Sequence, residues 1–377
     1  MASLQSREAR GQMIAEKSNQ IMRLADGFYK VASQSRDLSY DVIKKGAGWI
    51  CSCPDHVHRQ VICKHVWAVQ FSLNLRKAVE SRVIAPISDI HACLFCKSQQ
   101  IIKWGVRHNM HGDIQKFACK SCGKYFTVNL GFEKMKHNPQ GITTAMQLYF
   151  SGESLRNTSR SLHLIGVQVS HQTIYRWIMK YTELMRKYLD KITPQVGDTW
   201  RADEVFLKVH GNLKYLYALM DDQTRFWIAQ EVAETKITAD VRPLFQLAKQ
   251  IAGKQPVTLI TDGAPNFHDA YLKEYWTSTK AGRTEHVQDI RMSGQIHNNK
   301  MERMNGEIRD REKVTRNLKK MDTPILTGMQ IYHNYIRPHM ALNDKTPAEV
   351  AGIEVKGKDK WLTLIQNASR NITLTDN

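Results

Sequence analysis

The chain has 377 residues, 42% of them apolar and 24% charged, and its 54 Lys and Arg against 36 Asp and Glu give a net charge of +18. That length exceeds one small module and implies two or three domains, while the apolar share excludes wholesale disorder. No apolar run approaches the roughly 18 residues of a membrane span, and the charged N-terminus has no apolar stretch behind it, so neither a transmembrane helix nor a secretory signal is expected. The cationic excess suits a polyanion, with nucleic acid the expected partner and no membrane.

In chain order, residues 1–47 read as partly helical, and the cysteines follow. All seven (Cys51, Cys53, Cys63, Cys93, Cys96, Cys119 and Cys122) lie in the first third. An odd number without an export signal argues against a disulfide framework and leaves metal as the reason for the spacing. Cys51-Ser-Cys53, nine residues, then Cys63-Lys-His65 offers three thiolates and one imidazole, a tetrahedral zinc set. His56 and His58 in the spacer are competing imidazoles. The apolar Val66-Trp67-Ala68-Val69 run predicts a helix starting near the second ligand pair. This CxC and CxH pattern resembles the SWIM zinc finger at all four ligand positions, a resemblance that implies contacts with nucleic acid and protein.

Cys93-Leu-Phe-Cys96, twenty-two residues, then Cys119-Lys-Ser-Cys122 forms two knuckles with four thiolates, a second structural zinc site. Phe117, Tyr125, Phe126 and Val128 around the second knuckle suggest short strands, as in a zinc ribbon. A redox CxxC is the rival reading, and it lacks a surrounding βαβ pattern.

From Gly141 to Leu189 the pattern turns helical, with expected helices over 143–150, 154–164 and 170–188. Gly166 suits the turn before the third helix and Ser170 its N-cap. Ile174, Trp177, Ile178 and Tyr181 form a stripe at helical spacing, leaving His171, Gln172, Thr173, Arg176 and Lys180 near the outward face. A helix-turn-helix recognition helix has this arrangement, with donors for base edges and cations for phosphates. Any packed three-helix unit shares the periodicity.

The next region carries the chemistry. Strands are expected over 199–209, with Asp203, Val205, Leu207 and Val209 on one face, then over 213–219 and 225–232. A helix follows over 239–252, with Pro243 in its first turn and Gly253 at its end. Residues 257–261 form a strand delivering Asp262, and 298–320 form a long charged helix. Strand, strand, strand, helix, strand, helix is the order of an RNase H-like core. In that fold Asp203 and Asp262 lie side by side, and Glu302 reaches them from the late helix. Such hard oxygen ligands suit Mg2+ or Mn2+, and two ions can support in-line displacement at phosphorus. Each acid has an ordinary structural alternative: Asp203 could be one of a solvated pair with Glu204, Asp262 before Gly263 could be a turn residue, and Glu302 competes with Glu307 and Glu312 on a charged helix.

Three segments, Trp200-Arg201-Ala202-Asp203-Glu204-Val205, Leu259-Ile260-Thr261-Asp262-Gly263 and Asn298-Asn299-Lys300-Met301-Glu302-Arg303, resemble the signatures of DDE transposases of prokaryotic insertion sequences, notably family six. Lys214-Tyr215-Leu216-Tyr217-Ala218 resembles that family's second strand, and the tail from Tyr335 through Glu349 the end of integrase-like catalytic domains. Arg309, seven residues after Glu302, matches the family's basic residue on the same helical face, and Arg316 shares that face. The interval from Asp262 to Glu302 is longer than usual in the family, implying a small insertion.

The expected architecture is therefore multidomain α/β. A zinc-finger region spans 1–85, a ribbon-like module 86–135, a helix-turn-helix-like segment 138–192, an RNase H-like mixed-sheet catalytic domain 196–352, and an extension with a mobile polar end 353–377. The resemblance implies an enzyme that binds its element's ends, cleaves DNA and joins a 3′ hydroxyl to target DNA. It also implies a homodimer or larger assembly in the cytoplasm or nucleoid of a prokaryote. A silent regulator and a metal-dependent nuclease are the alternatives.

Overall fold

A computed structural model describes residues 3–16, 20–25, 27–34, 38–46, 48–77, 82–87, 92–109, 112–127, 130–133, 135–279, 283–288, 299–315, 318 and 323–375. The chain divides into two compact units. One comprises Met1–Glu80, Gln195–Leu207 and Leu213–Arg309, and the other Ser81–Pro194, Lys208–Asn212 and Asp310–Asn377.

The N-terminal region holds α1 (Ser3–Glu16), then β1 (Ile21–Ala25), β2 (Phe28–Ala32), β3 (Ser39–Lys45) and β4 (Gly48–Cys51), then α2 (Pro54–Arg59) and α3 (Lys64–Lys77). The strands pair in sequence order as an antiparallel meander. Region 1–47 is partly helical as expected, through α1, and its other described elements are strands: β2 alternates buried Tyr29 and Val31 with half-exposed neighbours, the period of a strand. Gly27, at φ 75°, makes the first hairpin turn, where an L side chain would also meet the Lys44 Cβ at 2.9 Å. Ile14, Tyr29, Val31, Val42, Val66 and Val69 form a small core shared with the cysteines of the first group.

In the second unit, β5 (Arg82–Ile84) precedes an antiparallel ribbon of β6 (Ile101–Asn109), β7 (Gly112–Cys119) and β8 (Tyr125–Thr127). Three helices follow: α4 (Pro139–Phe150), α5 (Leu155–Leu164) and α6 (His171–Leu189). Side chains of Asn138, Ser154 and Ser170 cap them in turn. The first begins four residues before its expected start, since Asn138 accepts from the Gly141 N–H and Pro139 suits the first turn.

The mixed five-stranded sheet contains β9 (Thr199–Val209), β10 (Asn212–Asp221), β11 (Trp227–Ala233), β12 (Thr258–Thr261) and β13 (Glu285–Gln288), in the order β11-β10-β9-β12-β13. With β10 and β11 antiparallel and β12 parallel to both β9 and β13, this is an RNase H-like sheet. Its helices are α7 (Thr238–Ala252), α8 (Pro265–Glu274) and α9 (Asn299–Thr315). Three expectations need correction. Pro243 lies inside α7 rather than in its first turn, because the helix starts at Thr238 under a cap by Asp240. Next, α9 does not run unbroken to 320, since Leu318 is buried in a bridge to Val209. Finally, α8 and β13 were not anticipated, being short and sparsely patterned.

The chain closes with α10 (Pro324–Ile331), a π-helical turn (Tyr332–Ile336), a 3-10 turn (Met340–Leu342), α11 (Pro347–Val350), β14 (Ile353–Val355) and α12 (Lys360–Thr375). Residues 353–375, expected as an extension, form a strand and a helix packed within the second unit. β14 pairs in parallel with β5, and Trp361, Leu364, Ile365 and Ala368 of α12 are buried. The Trp361 indole N–H donates to Gln147 at 3.0 Å, and its ring stacks on Phe150 with centroids 5.5 Å apart. Trp361→Ala is expected to cost about 3–5 kcal/mol, read as a lower denaturant midpoint. A change below about 0.5 kcal/mol would show that α12 is not integral to the fold.

Candidate active site

The sheet register places the two aspartates. In the parallel pair β9 and β12, Thr258, Leu259 and Ile260 lie opposite Thr199, Trp200 and Arg201, so continuing the ladder two residues sets position 262 beside 203. Oxygens of Asp203, Glu204 and Asp262 lie within 4.8 Å of one another. Glu204 was read from sequence only as a rival to Asp203, yet its side chain is 8% exposed and belongs to this cluster. Strand alternation gave no signal for it; tertiary packing brings it in.

Asp203 is the best-held member. Its Oδ1 accepts from the Glu204 N–H at 2.9 Å and its Oδ2 from Asn305 Nδ2 at 2.9 Å. Burial pushes its pKa up to about 7, with Glu204 and Asp262 adding repulsion against the pull of the Glu204 N–H and Arg309. Asp262 is exposed and its Oδ1 accepts from the Ala264 N–H at 3.0 Å, a tight turn that Gly263 permits at φ 85°. Lys236 forms an ion pair with Glu204, which raises its own pKa.

Glu302 sits exposed on α9, outside the group of three. Asn305, three residues on, touches Asp203, and Arg309, seven residues on, acts electrostatically on it, so one face of α9 presents Glu302, Asn305 and Arg309. The start of this helix is anchored. Lys300 Nζ donates to Asp222 Oδ1 at 2.8 Å, and Arg201 Nε donates to the same oxygen at 2.6 Å. Burial opposes ionisation of Asp222, but the two cations hold it below the ordinary carboxylate range. The basic face expected on α9 is therefore partly committed. Besides Lys300, Arg311 is buried, donates to the Glu153 carbonyl at 3.1 Å and stacks over Tyr149 at 4.0 Å. Arg316 lies outside the described residues.

On α6, Ile174, Trp177, Ile178 and Tyr181 are buried, whereas His171, Gln172, Arg176 and Lys180 are exposed. Thr173 is half-buried, its N–H capped by Ser170 Oγ at 3.3 Å. Lys180 leans over the Tyr181 ring at 5.1 Å.

Two soft-donor clusters stand elsewhere. The Sγ atoms of Cys51, Cys53 and Cys63 and a His65 ring nitrogen lie within 4.8 Å of one another, as do the four Sγ atoms of Cys93, Cys96, Cys119 and Cys122. Pairwise separations of 3.8 and 3.9 Å from His65 Nδ1 to Cys51 and Cys63, and of 3.6 and 3.5 Å for Cys93–Cys122 and Cys96–Cys119, approach the edge of about 3.8 Å that Zn–S bonds near 2.3 Å require. His56 is turned away, its Nδ1 2.8 Å from the Val61 carbonyl.

Residues 197–339 match the family model described as a DDE domain. Both signature aspartates, Glu204, Glu302 and Arg309 fall inside this DDE-domain segment. The transposase for the insertion sequence-like element IS431mec of Staphylococcus aureus is 30% identical over 146 residues, which are 38% of this chain and 63% of that protein. The transposase for insertion sequence element IS257 in transposon Tn4003, also from Staphylococcus aureus, matches with the same identity and coverage. The chain thus spans less than two thirds of the length of these relatives. Among solved structures, the HTLV-2 integrase catalytic core domain in complex with magnesium is 14% identical, with a TM-score of 0.30 over 42% of this chain and 98% of that one. No helix among the described residues is long and apolar enough to cross a membrane.

Proposed function

We propose that the chain is a DDE-type DNA transposase that binds the ends of its mobile element, cleaves strands there and joins the 3′ hydroxyl to target DNA. The observation that carries this reading is the convergence of Asp203 and Asp262 from adjacent parallel strands, with the Glu302–Asn305–Arg309 face of α9 beside them, inside a DDE-domain match.

Asp203, Asp262 and Glu302 are the residues that would hold Mg2+ or Mn2+, since carboxylate oxygens are the donors these ions prefer. When bound, such ions supply charge neutralisation at phosphorus and a more nucleophilic oxygen. The chain's own residues prepare the site. Asn305 fixes the orientation of Asp203, Glu204 adds negative charge balanced by Lys236, and Arg309 stands where a phosphate oxygen would need a cation. Lys300 and Asp222 hold the start of α9 and so set the position of Glu302.

Two structural zinc ions fit the soft clusters, one on Cys51, Cys53, Cys63 and His65 in a SWIM-type finger, the other on Cys93, Cys96, Cys119 and Cys122 in a ribbon. A cavity beside the first cluster is lined by Arg10 and Lys64, and by Arg7 and Arg59, which are both paired with Asp55 in the same lining; Arg10 and Lys64 would meet DNA phosphates there. His171, Gln172, Thr173, Arg176 and Lys180 at the start of α6 would read DNA, Arg309 and Arg316 would contact backbone, and two or more copies would pair the element's ends within a prokaryotic nucleoid.

The test is a strand-transfer assay with purified protein, Mg2+ or Mn2+, and DNA from the flanks of its gene. Glu302→Gln should lower joining by about 10³-fold or more while leaving DNA affinity within about twofold. Full activity of that variant would hand the third carboxylate to Glu307 or Glu204. Binding without cutting by the wild type would make the chain a regulator, and nicks without joining a nuclease.

A further inference from the structure

The ribbon carries a surface that the catalytic reading does not use. Trp104 on β6 is 54% exposed and Tyr125 on β8 is 50% exposed, with ring centroids 5.5 Å apart. Rings of that size usually have their faces covered, and leaving two adjacent ones in water forgoes a large hydrophobic gain. The backbone sets the position of Trp104. Lys103 pairs with Phe117 and Gly105 with Lys116, so the register skips Trp104, which is the extra residue of a β-bulge. Gly105 takes φ 118°, and a Cβ there would meet nothing within 4 Å, so the backbone conformation rather than space calls for glycine. The Gln115 amide donates to the Gly105 carbonyl at 2.8 Å and the Lys116 carbonyl at 2.9 Å, clamping the bulge. Bulges re-aim side chains, and this one sets the Trp104 indole beside the Tyr125 ring.

The electrostatics select the partner. Lys116 Nζ lies 4.8 Å over the Tyr125 ring, and residues 92–127 contain Lys97, Lys103, Arg107, Lys116, Lys120 and Lys124 against a single acid, Asp113. An acidic ligand with flat π-faces fits this combination. Duplex DNA keeps its base faces stacked inside, whereas unpaired bases expose them, and aromatic platforms ringed by cations bind single strands without sequence preference.

We propose that the Trp104–Tyr125–Lys116 face of the ribbon binds unpaired bases of DNA, the two rings stacking on bases and Lys116 meeting a neighbouring phosphate. This rests on the reading that the chain handles DNA, and assigns the ribbon a single-strand contact within it.

The test uses the full-length, zinc-loaded protein and fluorescence anisotropy with a short oligothymidylate and a blunt duplex of equal length. The Trp104→Ala/Tyr125→Ala variant should bind oligothymidylate at least about tenfold more weakly, with duplex affinity within about twofold. Trp104→Phe should keep most of the affinity, and Lys116→Gln should lower the salt dependence of oligothymidylate binding by about one ion. Unchanged zinc content certifies the fold of each variant. Unaltered oligothymidylate binding in the double variant overturns the proposal, as does an equal loss for both DNAs. A change in the number of associated copies without loss of single-strand affinity would give the face to a second copy of the chain instead. If the wild type binds neither DNA, the DNA-handling reading falls and takes this one with it. Retained duplex binding with unaltered single-strand binding removes this inference alone.

Discussion

Asp203→Asn should stabilise the metal-free protein while lowering strand transfer by about 10³-fold or more. Asp203 is pushed up to about 7 from an ordinary value of 3.8, chiefly by burial. The folded state therefore holds the proton more tightly than the unfolded chain. Its contribution to stability is full below about pH 4 and is lost as the pH rises through 7, a change on the order of 4 kcal/mol. Metal-free wild type should accordingly melt at a lower temperature at pH 8 than at pH 5, and the asparagine variant should show little of this slope. Divalent cation should restore wild-type stability mainly above pH 7, where Asp203 is ionised, and should do little for the variant. A variant no more stable than wild type at pH 8 would mean that Asp203 is not strained by its surroundings. Catalytic carboxylates often trade stability for function in this way.

The second large effect concerns zinc. Wild type should carry two zinc ions per chain, and Cys63→Ser and Cys119→Ser should each remove one. The burial of Cys51, Cys53, Cys63 and His65 makes the cost plain: the Cys51 thiol is pushed up by its contact with Cys63 and by burial, so several thiolates cannot coexist there without a cation. Each site should be worth on the order of 10 kcal/mol to its module. Hydrogen exchange should show loss of protection in β4 and α3 for Cys63→Ser, and in β6–β8 for Cys119→Ser, with the RNase H-like sheet still protected. Two zinc ions retained in either variant would exclude that cysteine as a ligand. Strong chelators should reproduce both effects at once.

The two Cys and His clusters and the carboxylate cluster differ in how far they are legible in the sequence. Close sequence spacing limits how far two side chains can separate, so CxC, CxH and CxxC pairs announce themselves, and the structure gathers the eight Cys and His atoms into two groups that could hold a metal. Asp262 is readable because it follows a short apolar strand, and Asp203 because it alternates with Val205, Leu207 and Val209 along another. Glu204 was not, since its neighbour on the same strand claimed the role. Asn305 and Lys236 carried no pattern at all.

Local chemistry along the chain determined the elements themselves: the capped helices α4 to α6, the alternation of β9, and the close-spaced Cys and His pairs. These depend on interactions within a few residues, which a sequence displays directly. Only the tertiary structure decided which distant groups meet. It packed α12 into the core of the second unit, where the sequence suggested only an extension with a mobile polar end, and withdrew Lys300 and Arg311 from the solvent face of α9. It also drew Glu204 and Asn305 into the carboxylate cluster while leaving Glu302 outside it, and set Trp104 on a bulge beside Tyr125. Those outcomes turn on register, burial and charge pairing between segments far apart in the chain. Hydrophobic periodicity records which face of an element is buried but not what it is buried against.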